Sequence, residues 1–337
     1  MKPTLPLKNI KIIDFTRLLP GPLGTHLLSQ MGAEIFKIES PKRMDTTRYY
    51  QPKINDVSLL FNALNHTKKQ CIIDYETDEG YKEIVKIIQS ADVLVEQFRP
   101  GAMKAFKLDY ETVKNINPKI VYISITGYGQ TGPNSLKAGH DLNFIAENGL
   151  LSLNKDTRGT PVIPDFQLAD IAGGSYMLIA ACTTGLLAQK LQNKAQFISI
   201  SLADASGSLA TIPNAMLHGG MPYQKTPILS GMLVNYNVYQ CQDKKWIALA
   251  ALELKFWNLF CEVIQKNHWK TDNTDTLIAG RFDKKKLEDL FITKPRDTWV
   301  ELFKNHDVCL SAVKELEEVN CSDNKNSYGA PFDCFEG

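Results

Sequence analysis

Short apolar runs alternate with amphipathic stretches along the first two thirds of the chain. Residues 10–15 form a compact apolar run, residues 19–31 carry a helical pattern that opens with two prolines, and residues 33–39 form a second apolar run. Proline suits the first turn of a helix because the N–H that it lacks would have no partner there. A strand, a helix and a second strand in about thirty residues are typical of a βαβ unit.

The alternation continues to about residue 217 and predicts one large sheet. Further strands are expected at 71–74, 93–97, 119–125 and 197–202, and further helices at 80–90, 101–106, 169–192 and 203–217. This order predicts an α/β fold with a Rossmann-like, doubly wound, mostly parallel sheet. Ligands of such sheets bind beyond the carboxyl ends of the strands, so residues that follow strands are candidates for chemistry.

The pattern changes after residue 219, where prolines, glycine and polar residues indicate a linker. A hairpin is then expected at 237–252, helices at 253–265, 284–291 and 296–305, and a strand at 308–312. We therefore expect a large α/β domain at 1–220 and a linker with a smaller α+β domain at 221–315. The polar tail, 316–337, is expected to return to the large domain.

Composition excludes several classes of protein. The 337 residues are 44% hydrophobic, and 38 basic side chains against 37 acidic ones give a net charge of +1, so no bulk attraction to nucleic acid is expected. Seven scattered cysteines without a C-x-x-C pair favour a reducing compartment. The beginning of the chain lacks an apolar signal core, and the apolar stretch 171–187 is interrupted and shorter than a membrane span. We expect a soluble cytoplasmic protein with no membrane partner.

The segment 138–144, Ala-Gly-His-Asp-Leu-Asn-Phe, places a histidine beside an aspartate at a predicted helix start. His140 could act as a general base because histidine titrates near neutral pH. A structural histidine, buried and hydrogen-bonded, is the alternative. Asp141 could equally serve as the N-cap of the helix that follows.

Two further carboxylates precede helical patterns. Asp170 stands at the start of the predicted helix 169–192, where the dipole and free N–H groups favour an anion; a simple helix cap is the alternative. Gly173 and Gly174 follow it, and paired glycines in a helix predict a close approach to the backbone. Glu253 ends a predicted strand and begins a helix, where an ordinary first-turn glutamate is the alternative.

Basic residues gather in the first third of the chain, and they include Lys37, Lys42, Arg43, Arg48, His66, Lys68 and Lys69. Arg99 follows the predicted strand 93–97. Such a set near strand ends could hold phosphates, although a solvated surface position is the alternative for each lysine. The glycine-rich segment 127–133 is a weak nucleotide fingerprint because a turn, rather than a helix, follows it. The first βα turn also lacks Gly-x-Gly-x-x-Gly, which disfavours a dehydrogenase.

With these landmarks the sequence resembles the class III coenzyme A transferase family, and within it the α-methylacyl-CoA racemase branch. The resemblance runs from residue 7 to about residue 319. Its landmarks in order are 14–32, Asn65-His66-Thr67-Lys68-Lys69, Phe98-Arg99-Pro100-Gly101, 127–132, 138–144, 169–174, Ala251-Leu252-Glu253 and His306-Asp307-Val308-Cys309. The sequence departs from the family at 65–69, where Asn-Arg-Gly-Lys-Arg is usual, and at Ser40, where a basic residue is common.

The resemblance implies an activity. In the transferases the aspartate at the position of Asp170 is a nucleophile that carries the acyl group as a mixed anhydride. The racemases add a histidine, here His140, and back it with a glutamate of the second domain, here Glu253. The implied reaction inverts the α-carbon of 2-methyl-branched acyl-CoA thioesters by 1,1-proton transfer through an enolate. The backbone N–H of Asp141 is the implied donor to the enolate oxygen.

The resemblance also implies binding partners. The expected contacts with the coenzyme A part of the substrate are Arg99, Lys68, Lys69, Asn65 and Lys37. No separate cofactor and no metal are expected. An interlocked homodimer is implied, in which Glu253 of one chain reaches His140 of the other. Two alternatives stay open: a CoA transferase with Asp170 as nucleophile, and a CoA-binding protein without turnover.

Overall fold

The computed structural model describes residues 5–156, 158–221, 231–277 and 281–320, and the chain divides into two compact units between Thr211 and Ile212. The strands of these described residues are β1 (Lys11–Asp14), β2 (Glu34–Glu39), β3 (Lys53–Ile54), β4 (Val57–Ser58), β5 (Lys69–Ile72), β6 (Val93–Glu96), β7 (Val121–Thr126), β8 (Gln196–Ser201), β9 (Tyr236–Gln240), β10 (Trp246–Ala250) and β11 (Leu310–Val313).

The same described residues form helices of ordinary α type and a few of other types. The α-helices are α1 (Pro20–Gln30), α2 (Leu59–Asn65), α3 (Asp78–Gln89), α4 (Ala102–Ala105), α5 (Tyr110–Ile116), α6 (Asp141–Glu147), α7 (Leu150–Leu153), α8 (Met177–Gln192), α9 (Leu202–Gly207), α10 (Thr211–His218), α11 (Leu254–Val263), α12 (Lys285–Phe291), α13 (Arg296–Phe303) and α14 (Leu316–Asn320). A π-helix, Ala169–Tyr176, runs directly into α8. Short 3-10 helices occur at Thr46–Tyr49, Ser208–Ala210, Asn267–Trp269 and Thr274–Leu277.

Six strands of the first unit form a parallel sheet in the order β5-β2-β1-β6-β7-β8 within the described chain. Numbered by their own sequence order, these strands run 3-2-1-4-5-6, which is the doubly wound arrangement. The predicted α/β fold with a parallel sheet is therefore confirmed. The strand order reverses between β1 and β6, and a crevice is expected beyond their carboxyl ends.

The central strands are continuous apolar runs because helices cover both faces of the sheet. Val93, Leu94 and Val95 of β6 are completely buried, and β7 is buried along its whole length. Burying these aliphatic side chains contributes roughly 1.5–3 kcal/mol each before the entropy of ordering is subtracted. Because the strands themselves are apolar, polar residues such as those that carry chemistry lie at the strand ends.

The helical segment Ala169–Gln192 covers this sheet, with α8 packed against β7 and β8. By length and composition this 24-residue helix could cross a membrane, because it extends beyond the interrupted apolar stretch 171–187 on which the expectation rested. The close approach predicted at its paired glycines is confirmed. A β-carbon on Gly173 would lie 2.8 Å from the carbonyl oxygen of Leu202, and one on Gly174 would lie 2.6 Å from Pro20.

The second unit contains an antiparallel sheet in the order β11-β10-β9, together with helices α11 to α13. Its core is aromatic, because Trp257, Phe260, Phe291 and Trp299 are all essentially buried. Trp257 and Trp299 each donate their indole N–H to a backbone carbonyl, so neither polar group is left unpaired.

Several details differ from the sequence predictions. The helix expected at 203–217 is broken into α9, a 3-10 turn and α10, because Gly207 ends the first piece and Pro213 cannot donate a helical hydrogen bond in the last. The short β3–β4 hairpin and the helices α2 and α5 were not predicted. The tail, 316–337, was expected to return to the large domain, but its described part, 316–320, belongs to the second unit, where Glu318 pairs with Arg296. Residues 321–337 and the linker segment 222–230 lie outside the described residues.

Candidate active site

A cavity of about 380 Å³ opens beyond the carboxyl ends of the central strands, at the point where the strand order reverses. The loops after β1, β6 and β7 and the starts of α6 and the π-helix form its walls. It is lined by His140, Asp170 and Arg99, among others, and we call it the reaction cavity. Residues that are distant in sequence, all predicted to carry chemistry, therefore share one cavity.

Packing of an aromatic side chain holds the histidine turn in place. Phe144 of α6 is buried, and β-carbons on Gly127 or Gly139 would each lie 2.7 Å from its ring. Only glycine therefore lets the ring press against both backbone segments. His140 is the N-cap residue of α6, and its own N–H donates to the Asn143 side chain at 3.1 Å. The histidine is exposed at the mouth of the cavity rather than buried as a structural histidine would be.

Asp141 is the first residue of α6, so the prediction that it is the N-cap was wrong by one position. Its carboxylate instead accepts the backbone N–H of Asp170 at 2.9 Å. This hydrogen bond joins the start of α6 to the start of the π-helix. It therefore sets the two candidate proton-transfer residues, His140 and Asp170, on adjoining segments.

Asp170 has an unusually high proton affinity. Burial of its side chain, and then the negative charge of Asp141, raises the pKa of Asp170 to about 7. A helix N-terminus alone would lower this pKa, so burial and like charge outweigh the dipole on which the sequence argument relied. The carboxyl group can consequently either hold or release a proton near neutral pH.

The candidate donor to an enolate oxygen is the backbone N–H of Asp141. As the first N–H of α6 it has no partner inside the helix, and no acceptor for it occurs among the described residues. Such an N–H at a helix start can stabilise developing negative charge.

Arg99 is exposed in the loop after β6 and makes no ion pair with any described residue. Its guanidinium is therefore free to bind an anionic group. The loop is fixed on one side by a hydrogen bond from the N–H of Gly21 to the Gln97 side chain at 3.1 Å. Arg17 adds a second cation, with its guanidinium 5.6 Å from the ring centre of Phe98.

The other predicted coenzyme A contacts lie elsewhere. Lys68 is fully buried and donates to Asp14 at 3.0 Å, and Lys37 is fully buried and donates to Asp45 at 3.1 Å. Asn65 is also buried. For Lys68, Lys37 or Asn65 to contact a phosphate directly, its internal hydrogen bonds would have to break or the residues packed over it would have to move. Lys69 is exposed and paired with Glu34 on the sheet edge.

Glu253 belongs to the second unit, where it is the N-cap residue of α11. Its carbonyl accepts the N–H groups of Phe256 and Trp257, at 2.9 Å and 3.2 Å, and its side chain is exposed. The carboxylate does not cap the helix, so a purely local capping role is not supported. Its predicted action on His140 stays a prediction.

Sequence reasoning missed three residues around the reaction cavity. Gln97 and Lys137 line it, and Glu96 lies buried just behind its wall. Glu96 and Gln97 lie at the carboxyl end of a strand. Arg99 was predicted as a site residue on the same ground, so this position could also have identified Glu96 and Gln97. Lys137 directly precedes the segment 138–144 and forms an ion pair with Glu147. In sequence nothing distinguishes it from an ordinary surface lysine.

Comparison with known proteins gives the family to which these features correspond. The profile of "CoA-transferase family III" matches residues 7–329. Human "Succinyl-CoA:glutarate CoA-transferase" is 30% identical over 327 residues, which cover 93% of this chain and 73% of the human protein. Human "Alpha-methylacyl-CoA racemase" is 26% identical over 339 residues, covering 96% of this chain and 82% of that protein.

A solved structure shares the fold. The crystal structure of a CAIB/BAIF family protein from Brucella suis superposes with a TM-score of 0.80 at 25% identity. The match covers 96% of this chain and 87% of the Brucella protein. Relatives with both transferase and racemase names are thus similar to this chain along nearly its whole length.

Proposed function

This chain belongs to CoA-transferase family III, and from that premise we propose that it is a racemase of 2-methyl-branched acyl-CoA thioesters. The reaction inverts the carbon next to the thioester carbonyl. The observation that carries the proposal is the presence of His140 in the same cavity as Asp170, whose pKa is raised to about 7. An imidazole is a common general acid and base, and a carboxyl group with a raised pKa can both accept and release a proton, so the pair suits proton transfer in two directions.

In the proposed reaction one group removes the α-proton and the other delivers a proton to the opposite face. The electron pair of the broken C–H bond moves to the thioester oxygen and forms an enolate. Reprotonation of the carbon from the second group restores the thioester with inverted configuration. His140 serves one face and Asp170 the other, and each acts as base in one direction and as acid in the reverse direction.

The environment of Asp170 supports its role as a proton carrier. An aspartate with an ordinary pKa would be almost entirely ionised at neutral pH and a poor acid. Burial and the charge of Asp141 raise the pKa of Asp170 to about 7, so both protonation states are populated. The N–H of Asp141 is the proposed donor to the enolate oxygen, and Arg99 is the proposed contact with the anionic part of coenzyme A.

Assembly and location complete the proposal. The proposed enzyme is an interlocked homodimer, in which Glu253 of one chain polarises His140 of the other. We also keep the absence of a separate cofactor, since proton transfer at an activated carbon needs only acids, bases and an oxyanion donor. A cytoplasmic location remains part of the same proposal.

A CoA transferase is the second candidate, favoured by a specific observation. The human and Acetobacter aceti relatives that are 30% identical carry transferase names, whereas the human racemase is 26% identical. In that reaction the Asp170 carboxylate would attack the thioester carbonyl, release coenzyme A thiolate and form a mixed anhydride. His140 would then have no proton to transfer at the α-carbon.

The two candidates are separated by following the α-proton and coenzyme A in one incubation. A single enantiomer of a 2-methylacyl-CoA is incubated in D2O with wild-type enzyme and with a panel of free carboxylic acids. The proposal predicts deuterium at the α-carbon, loss of optical purity and no new thioester. Retention of the α-proton while coenzyme A moves to an added acid would establish the transferase and reject the racemase.

A further inference from the structure

A second cavity, of about 230 Å³, adjoins the loop that carries Arg99. Arg99 and Pro100 line both cavities. The second cavity contains Glu96, whose side chain is only 4% exposed and which the proposed proton transfer does not use. Burying a carboxyl group is costly unless it makes favourable contacts, so the contacts of Glu96 with the Arg99 loop indicate its role.

Glu96 is tied to the backbone of this loop. It is the last residue of β6, and its Oε2 accepts the backbone N–H of Phe98 at 2.7 Å. Ser124 of β7 lies opposite Glu96 in the sheet register, and its side chain interacts favourably with the ionised carboxyl group. The Ser124 hydroxyl in turn accepts the side-chain N–H of Gln130 at 2.7 Å. The carboxyl group is therefore held from two sides.

The hydrogen bond from Phe98 fixes the turn on which Arg99 stands. The turn closes with a hydrogen bond from the N–H of Ala102 to the Arg99 carbonyl at 3.0 Å, and Gly101 has the positive φ of 85° that this geometry needs. Phe98 itself lines the reaction cavity. A shift of the Phe98 backbone would therefore move both a cavity wall and the base of the Arg99 side chain.

We propose that Glu96 is a positioning residue for acyl-CoA binding: its hydrogen bond to Phe98 holds the turn so that the Arg99 guanidinium faces the reaction cavity. Glu96 touches no reacting atom and acts through Arg99. The proposal rests on acyl-CoA as the ligand of the family, and it does not depend on racemisation. It would hold equally for a transferase.

Protonation of Glu96 should modulate this binding. Burial raises the pKa of Glu96 to about 7, against the lowering effect of the hydrogen bonds from Ser124 and Phe98. The charged groups that share the cavity with it are Arg99, Lys104, Asp109 and Glu111, and the tyrosines there are Tyr110 and Tyr122. The ionised carboxylate accepts the Phe98 N–H in a charge-assisted hydrogen bond, which is about twice as strong as a neutral one. Binding should therefore tighten as the pH rises through about 7.

The test measures the Kd of coenzyme A and of dephospho-coenzyme A by calorimetry at about pH 6 and about pH 8. Dephospho-coenzyme A is needed because a terminal phosphate itself titrates near about pH 6. Wild type is compared with Glu96→Gln, Arg99→Ala and the matched control Glu111→Gln. Glu111 lines the same cavity but is exposed and paired with Lys114.

We expect wild type and Glu111→Gln to bind dephospho-coenzyme A about fivefold more tightly at the higher pH. Glu96→Gln, which keeps an acceptor without a charge, should bind at both pH values as weakly as wild type does at the lower one. Its KM should rise while kcat changes less than about twofold. Arg99→Ala should bind weakly at both pH values, since Glu96 acts through Arg99.

The inference is overturned if wild type binds equally at both pH values, or if Glu96→Gln keeps the wild-type pH dependence. It is also overturned if Arg99→Ala retains that dependence, a result that can be obtained even if Glu96→Gln fails to fold, because Arg99 is an exposed side chain. Failure of racemisation with an intact pH dependence of binding would reject the proposed function alone.

Discussion

Two aspartates near the same edge of the sheet have opposite proton affinities. Asp14, at the end of β1, is completely buried, and Asp170 at the start of the π-helix is partly buried. Burial tends to raise the pKa of both. At Asp14 the ammonium groups of Lys68 and Lys37, with hydroxyl donors, outweigh burial and lower the pKa to about 2. At Asp170 the neighbouring charge is negative and the pKa is raised to about 7.

Neighbouring charges, rather than the depth of burial, therefore decide the role of each carboxyl group. Asp14 is permanently ionised and stabilises the fold through its partners. Asp170 exchanges a proton at neutral pH, and its ionised form costs the fold stability. The first belongs to an internal ion-pair cluster, and the second belongs to the reaction cavity.

The largest expected effect comes from removing the cation beside Asp14. Lys68→Met leaves a completely buried carboxylate without its closest ionic partner, and the free energy of unfolding should fall by about 3–5 kcal/mol. Urea unfolding at neutral pH measures this change. The matched control is Lys69→Met, which removes the next lysine along the chain. Its pair with Glu34 is largely solvent-exposed, so about 0–1 kcal/mol is expected. Equal losses in both variants would contradict the assigned ion-pair cluster.

Replacing Asp170 should raise the free energy of unfolding, in contrast to replacing Lys68. An acid whose pKa rises on folding loses stability as the pH climbs from its unfolded value of 3.8 to about 7. Asp170→Asn removes that cost and should raise the free energy of unfolding by about 4 kcal/mol at alkaline pH, with little difference from wild type in acid. Urea unfolding across the pH range provides the measurement. A variant less stable than wild type at alkaline pH would show that Asp170 is held by an unrecognised favourable contact.

A smaller effect is expected at the charge beside Asp170. Asp141→Asn keeps the oxygen that accepts the Asp170 N–H but removes the negative charge. The pKa of Asp170 should fall by about one unit, because the negative charge of Asp141 contributes to raising it. Carbon-13 NMR of labelled aspartate measures the pKa directly. Asp165→Asn, an exposed aspartate on the segment leading to Asp170, is the control and should leave that pKa unchanged.

The pattern of apolar runs was enough to predict the parallel sheet. Runs such as Val93–Glu96 can be buried on both faces only when helices cover them, so their alternation with helical patterns is specific to this class of fold. Short elements such as the hairpin β3–β4 carry too few residues to show a period. The helix predicted at 203–217 is broken by the backbone properties of Gly207 and Pro213. A pattern of apolar positions does not reveal this break, because it reflects only side-chain hydrophobicity.

The candidate site was predictable where a motif carried it and unpredictable where a distant partner decided the outcome. His140 and Asp170 follow from their segments and from the resemblance to the family. Lys68 and Lys69 are neighbours of the same residue type, yet one is buried and the other is exposed. The distinction is made by Asp14, which is 54 residues away from Lys68 in sequence. No local pattern contains that pairing.

Proton transfer between His140 and Asp170 can be tested by α-proton exchange in D2O. The substrates are the two enantiomers of a 2-methylacyl-CoA, and the variants are His140→Ala and Asp170→Ala. We expect both variants to lose inversion by about 100-fold or more. Each variant should retain exchange with one enantiomer only, and the two variants should retain exchange with opposite enantiomers. Loss of exchange for both enantiomers in one variant, with normal inversion in the other, would contradict proton transfer between His140 and Asp170.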